Sequence, residues 1–164
     1  MRKKRENTLG LYDYYGASGA IDKIDSYNVD DTVLLIGEDG ANLVMRNLPL
    51  VYRASGKFWV NNHAHILKVH SDNSYSFMAY LLEAGDYTVY ITGSAQPKLS
   101  QFNLMRFPIV VPPIDEQIAI GTYLDRKCGT IDQLIAEKKS LIEDLENYKR
   151  SLIYEAITGK RKVV

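Results

Sequence analysis

Two hydrophobic rhythms follow one another along this chain, and the change falls at Pro112-Pro113. Before it, short apolar runs alternate with turn residues. Thr32–Ile36 (TVLLI) lies between Asp30-Asp31 and Gly37, which predicts a buried strand. His63–Val69 (HAHILKV) predicts a strand with mixed faces. Tyr87–Ile91 (YTVYI) and Phe107–Val111 (FPIVV) predict two more, with Pro108 at a first residue or on an edge. Asn73 and Ser74 offer caps for a helix running through Tyr80 to Glu83, with Gly85 as its stop. The class predicted is α+β: a compact mixed β-sheet domain over residues 1–113, then a long helix of coiled-coil type within 114–164.

After the proline pair the period lengthens to that of a helix. Asp115, Glu116 and Gln117 suit a first turn, where the helix dipole favours negative charge. A short helix to about Lys127 is expected, interrupted at Gly129. Thr130 and Gln133 have the spacing of a capping box, so a second helix is expected from Thr130 to about Thr158, stopped by Gly159. Ile131, Leu134, Leu141, Leu145, Tyr148 and Leu152 fall on the a and d positions of one heptad frame. Ile135 and Ile142 widen this stripe, and Lys138 interrupts it. Some 27 residues of helix span roughly 40 Å, more than a small domain can cover, so a second helix is expected to bury the stripe.

Composition narrows the function. Apolar residues make up 46% and charged residues 24%, ordinary globular usage. Twenty basic and twenty acidic residues leave no net charge, which argues against a generic polyanion binder but permits a local basic patch. A lone cysteine, Cys128, excludes an internal disulfide, reads as a packing residue, and suits a reducing, cytoplasmic setting. No apolar run is long enough to span a membrane, so no membrane partner is expected. The basic Met1–Arg5 segment reads as a solvated lead-in or a truncation point.

Catalytic patterns are missing: no glycine-rich nucleotide cradle, no G-x-S-x-G elbow and no Asn/Asp-Pro-Pro-aromatic motif. His63 and His65, with His70 nearby, carry the alternative of a metal-dependent hydrolase, but structural histidines are the favoured reading and no metal site is assigned. Three loops instead suit a DNA reader. Tyr14–Gly19 (YYGASG) offers Tyr15 and Ser18 among glycines. Ile36–Asn42 (IGEDGAN) follows the buried strand. Gly93–Gln101 (GSAQPKLSQ) offers Ser94, Gln96, Lys98 and Ser100. Lysine suits a phosphate or guanine, and glutamine an adenine edge. Arg46, Arg53 and Lys57 form a spaced basic run of phosphate-binding type.

The order of these segments resembles the specificity subunit of type I restriction-modification systems. The resemblance rests on YYGASGAID (Tyr14–Asp22), LLIGEDGANL (Leu34–Leu43), WVNNHAHIL (Trp59–Leu67), GSAQPKLSQ, VPPIDEQIAI (Val111–Ile120) and the closing ITGK (Ile157–Lys160), nearly the whole chain from Tyr14 onward. It implies a non-catalytic subunit whose recognition domain reads one part of a split double-stranded DNA target, within a system of defence against foreign DNA. It implies helices that pack antiparallel as a ruler. It implies DNA methyltransferase and translocase-nuclease partners that carry the chemistry of DNA methylation and cleavage with S-adenosylmethionine, ATP and Mg2+, with no cofactor in this chain. The usual family pattern has two recognition domains and two helical regions, whereas this chain has one of each. That departure points to a half-subunit, a fragment or a recombinable cassette. A half-subunit needs a homodimer or a second half, and two-fold symmetry then implies half-sites about one helical turn apart. A decoy that occupies the methyltransferase through its helix without reading DNA is the remaining alternative.

Overall fold

A computed structural model describes residues 10–163, so the Met1–Arg5 segment lies outside the described residues. The chain divides into two compact units, 1–121 and 122–164.

The first unit is built on a mixed five-stranded sheet of β1 (Tyr12–Gly16), β2 (Gly19–Ile24), β3 (Val29–Gly37), β4 (Val51–Val60) and β5 (Ala64–Leu67), in the order β2-β1-β4-β3-β5. Only the β1/β4 pair is parallel. The TVLLI run is the centre of β3, with Val33, Leu34, Leu35 and Ile36 at most 2% exposed. Alternation sends Val33 and Leu35 to one face, against Ala54, Phe58 and Val60. Leu34 faces the other way, against Ala79 and Leu82 of helix α2 (Tyr75–Glu83). Ile36 joins a neighbouring cluster formed by Leu43, Leu50, Tyr87, Leu99 and Leu104. Leu43 lies on the short helix α1 (Asn42–Met45) and Leu104 on α3 (Gln101–Leu104). Ser74 caps α2 as expected, its hydroxyl accepting from the Phe77 amide.

Two expected strands are absent. Tyr87–Ile91 winds instead into a 3-10 turn at Thr88–Tyr90. Asp86 is the cause: its carboxylate accepts from both the Thr88 amide (3.0 Å) and the Thr88 hydroxyl (2.6 Å), a local bond that competes with a strand ladder. Those bonds hold the Asp86 carboxyl below the ordinary carboxylate value. Phe107–Val111 is irregular. Phe107 packs on the Tyr87 and Tyr90 rings, at centroid distances of 4.4 and 5.5 Å, while Val110 is 86% exposed. Pro108, Pro112 and Pro113 remove ladder donors there. In compensation, β1, β2 and β4 form where no strand is expected. Arg53, Ser55, Gly56 and Lys57 mask β4 in the sequence.

Tyr87 is 2% exposed and donates its hydroxyl hydrogen to the Leu82 carbonyl at 2.8 Å. Burial pushes its phenol up to about 12. The unfolded chain therefore loses this proton first as pH rises. The stability contributed by a neutral Tyr87 is complete below pH 10 and falls as pH approaches 12. Tyr87→Phe is expected to flatten that alkaline limb; denaturant midpoints at pH 8 and pH 11 check it.

One helix, α4 (Ile114–Ile157), replaces the two expected. It passes through Gly129 unbroken, because a helical glycine costs only about 1 kcal/mol relative to alanine. Thr130 is not a cap: its hydroxyl donates to the Arg126 carbonyl at 2.9 Å, one turn back in the same helix. The first turns of α4 belong to the first unit. Gln117 is 2% exposed and Gly121 is buried there. The Gln117 amide accepts from the Ser74 amide (3.0 Å) and donates to the Pro112 carbonyl (2.8 Å) and the Asn73 side chain (3.2 Å). A Cβ on Gly121 would stand 3.0 Å from the Phe77 nitrogen, so only a residue without a side chain fits that approach comfortably.

Candidate nucleic-acid interface and pairing stripe

Three loops singled out in the sequence meet at one end of the sheet. β1 and β2 form a hairpin whose two-residue tip, Ala17-Ser18, is flanked by paired Gly16 and Gly19. Gly19 has φ of 88°, and a Cβ on it would fall 2.5 Å from the Tyr52 ring. Across the hairpin, a Cβ on Gly37 would fall 2.6 Å from the Ala17 carbonyl, so the tip lies directly on the end of β3. The loop after β3 is bonded in turn to the Gly93–Gln101 loop: the Gly40 amide donates to the Pro97 carbonyl at 3.0 Å, and the Leu99 amide to the Glu38 carbonyl at 2.7 Å. Reciprocal Thr92–Lys98 backbone bonds close the latter loop. Sequence spacing alone does not reveal this convergence, because the partners are distant along the chain.

The candidate side chains fare differently. Ser18, Ser94 and Gln96 are exposed on these loops. Lys98 is exposed too, and its ammonium lies 2.8 Å from the Glu38 carboxylate, which raises its pKa. Such an exposed pair is weak, so a phosphate could displace Glu38 at little cost. Ser100 has a local task, capping α3 by accepting from the Asn103 amide. Tyr15 packs edge-on against Phe58 at 5.5 Å, and burial raises its phenol.

Arg46, Arg53 and Lys57 do not form one patch. Arg46, with φ of 53°, ends α1, and its guanidinium donates to the Glu83 and Gly85 carbonyls. Arg53 reaches the Ser76 carbonyl at 3.4 Å and lies over the Tyr80 ring. Lys57 stands 4.8 Å above the Tyr27 ring, and its bond to Tyr27 raises its pKa. Acidic side chains outnumber basic ones between Gly10 and Gly121, so this unit offers no broad positive field of its own. Glu83, read in the sequence only as the end of a helix, has a carboxylate that accepts from both the Leu50 and Val51 amides at 2.8 Å and so anchors the start of β4.

The histidines are not brought together as a metal site. His63 precedes β5 and pairs with Asp39 at 2.7 Å; His65 donates to the Leu99 carbonyl at 2.7 Å; His70 pairs with Asp72 at 3.1 Å. Among the described residues no three His, Cys, Asp or Glu side chains gather as metal ligands.

In the second unit the stripe is uncovered. Ile131, Leu134, Ile135, Leu141, Ile142, Leu145 and Tyr148 are all about half exposed, and Leu152 is 36% exposed. Residues 122–157 extend roughly 54 Å at about 1.5 Å each. Among the described residues no helix is long and apolar enough to cross a membrane.

Comparison with known proteins accounts for both units. Residues 1–144 match the family model described as the type I restriction modification DNA specificity domain. Over 116 residues the chain is 31% identical to a protein of Haemophilus influenzae named as a type I restriction enzyme specificity subunit, covering 71% of this chain and 30% of that one. It is 30% identical over 134 residues to the EcoprrI type I specificity subunit of Escherichia coli, covering 82% and 32%. The crystal structure of a type I restriction-modification S subunit from M. genitalium superposes with a TM-score of 0.62 at 18% identity, covering 94% of this chain and 41% of that one. The chain thus spans about a third of the length of the curated relatives it matches.

Proposed function

We propose that this chain, which belongs to the type I restriction-modification DNA specificity family, reads one half of a split DNA target and pairs with a second half through α4. The observation that carries this reading is the family match running from the sheet into the helix, over 1–144. Residues 1–113 act as the reader and 114–164 as the spacer and dimerisation region. The simplest second half is another copy of the same chain, which makes the assembly symmetric and its target an interrupted palindrome. Methyltransferase and translocase-nuclease subunits dock on the assembly and carry the chemistry with S-adenosylmethionine, ATP and Mg2+. This chain itself performs none, and the system operates in the cytoplasm.

Within the reader, the three converging loops are the proposed contact surface. Ser18, Ser94 and Gln96 are placed there to meet base edges or backbone, and Lys98 to exchange Glu38 for a phosphate. Ser100, capping α3, and Tyr15, packed on Phe58, support this surface, while Arg46 and Arg53, held by contacts to Glu83, Gly85, Ser76 and Tyr80, lie with Lys57 outside the three loops and add phosphate contacts.

Selection of bound sequences from a random duplex pool tests the reading, with an interrupted palindrome expected. Recovery of no sequence, together with tight binding to a methyltransferase, would instead establish the decoy. Lys98→Ala is expected to weaken binding similarly for all sequences and to lower the salt slope by about 1, whereas Gln96→Ala relaxes preference at a single base position. Unchanged affinity and slope for both variants move the contacts elsewhere.

A further inference from the structure

The convergence of loops beside Gly37 takes in one more segment. The turn Asn61–His63, between β4 and β5, is seated between two of the three loops already described. On one side the Asn61 amide donates to the Tyr15 carbonyl at 3.0 Å, and a Cβ on Gly16 would stand 3.1 Å from the Asn61 side-chain nitrogen, so the turn lies against the β1–β2 hairpin. On the other side the Glu38 amide donates to the His63 carbonyl at 2.9 Å, which ties the turn to the loop after β3. Within the turn the Asn61 side-chain oxygen accepts from the His63 amide at 2.9 Å. The backbone of His63 is therefore held at both its amide and its carbonyl.

Its side chain is held as well. The His63 Nδ1 lies 2.7 Å from the Asp39 carboxylate, with the imidazole 49% exposed and the carboxylate only 18%. Glu38 treats Lys98 in the same way, at 20% and 54% exposure. Two consecutive acids thus sit low in the surface, and each holds one nitrogen-bearing side chain up at it. The His63–Asp39 bond is not needed to join the two loops, because the Glu38 amide already does that. A carboxylate only accepts, so Nδ1 carries the proton it donates, and in the neutral ring Nε2 is left as an acceptor. Among the described residues Nε2 of His63 has no hydrogen-bond partner. His65 differs, since its Nε2 is engaged by the Leu99 carbonyl.

We infer that His63 is a specificity-determining residue of the reader: its Nε2 accepts from a base amino group in the major groove, N6 of adenine or N4 of cytosine. Asp39 is its positioning residue, fixing both the direction of the ring and the nitrogen that stays unprotonated. The turn Asn61–His63 becomes a fourth element of the contact surface. The inference rests on the DNA-reading surface proposed above and assigns it a base contact that neither Lys98 nor Gln96 supplies.

The test is selection from a random duplex pool by the full chain and three variants, followed by affinity measurements on the selected duplex and its single-base-pair changes. His63→Ala is expected to lower discrimination at one base pair by roughly fivefold or more, with the other positions, the salt slope and the melting of the sheet unit unchanged. Asp39→Asn, whose amide accommodates either ring tautomer, is expected to relax the same base pair to a smaller degree. Added to His63→Ala it should change nothing further, because Asp39 acts through His63. A wild-type chain that selects no sequence overturns the DNA-reading proposal, and this inference with it. Wild-type preferences that His63→Ala leaves intact at every position overturn this inference alone. So does a loss equal for all sequences with the salt slope lowered by about 1, the mark of a phosphate contact. An Asp39→Asn effect that adds in full to that of His63→Ala overturns the positioning role.

Discussion

Leu141→Asp/Leu145→Asp is expected to turn the proposed dimer into a monomer at micromolar concentration, raising the dissociation constant by about a thousandfold or more. The two side chains are 49% and 57% exposed in the single chain and lie at the middle of the stripe. In a symmetric pair each contributes twice. Burying a leucine is worth about 1.5–3 kcal/mol, and a carboxylate in its place must be desolvated without a partner. The melting of the sheet unit serves as control and should not move, because neither residue belongs to its core. A double variant that still sediments as a dimer would remove the stripe from the interface. On the proposed split-target reading, DNA should still be bound, but as isolated half-sites with lower affinity, since linkage between the two readers is lost.

The second large effect is expected at Gln117. Gln117→Leu nearly preserves volume but leaves the Ser74 amide without its acceptor and the Pro112 carbonyl without its donor. Each of the two polar groups so stranded costs about 1–3 kcal/mol, giving a loss of roughly 2–6 kcal/mol. For a unit of this size the melting temperature should fall by roughly 10 °C or more. Calorimetry of the full chain checks this; a fall under about 3 °C would mean that water satisfies these groups in place of the glutamine. Gln117→Glu keeps the acceptor for Ser74 but sets a buried carboxylate against the Pro112 carbonyl and the Asn73 side-chain oxygen, so it should not rescue the loss.

Both predictions concern helix α4, and they show how unevenly sequence reports on structure. The stripe was legible because its residues recur every three or four positions, and the helical backbone turns that spacing into a shared face. The role of Gln117 was not legible. Beside Asp115 and Glu116 it looked like one more polar group of a first turn, whereas its task depends on Asn73 and Ser74, which packing alone brings to it.

The sheet repeats the lesson. TVLLI announced itself because a strand covered on both faces needs no polar alternation. β4 stayed hidden because its central residues are polar, and only the ladder from Val29↔Phe58 to Ile36↔Val51 makes them a strand. YTVYI failed in the opposite sense: its composition favours a strand, but Asp86 binds Thr88 locally and Tyr87 inserts into the core. Gly129 looked like a helix break, but its local cost of about 1 kcal/mol is small beside the cooperative bonds of a helix this long.

By itself, then, the sequence determined the class of fold, the buried central strand, a cap for α2 at Asn73 or Ser74 and the apolar stripe of α4. Each depends on local conformational preference or on a repeat the backbone converts directly into a face. Only the tertiary structure decided that three separate loops meet beside Gly37, that Arg46 is tied to Glu83 while Gln96 stays exposed, and that the three histidines bind different partners. Those outcomes are set by which distant segments the sheet brings side by side, and no spacing along the chain encodes that distance.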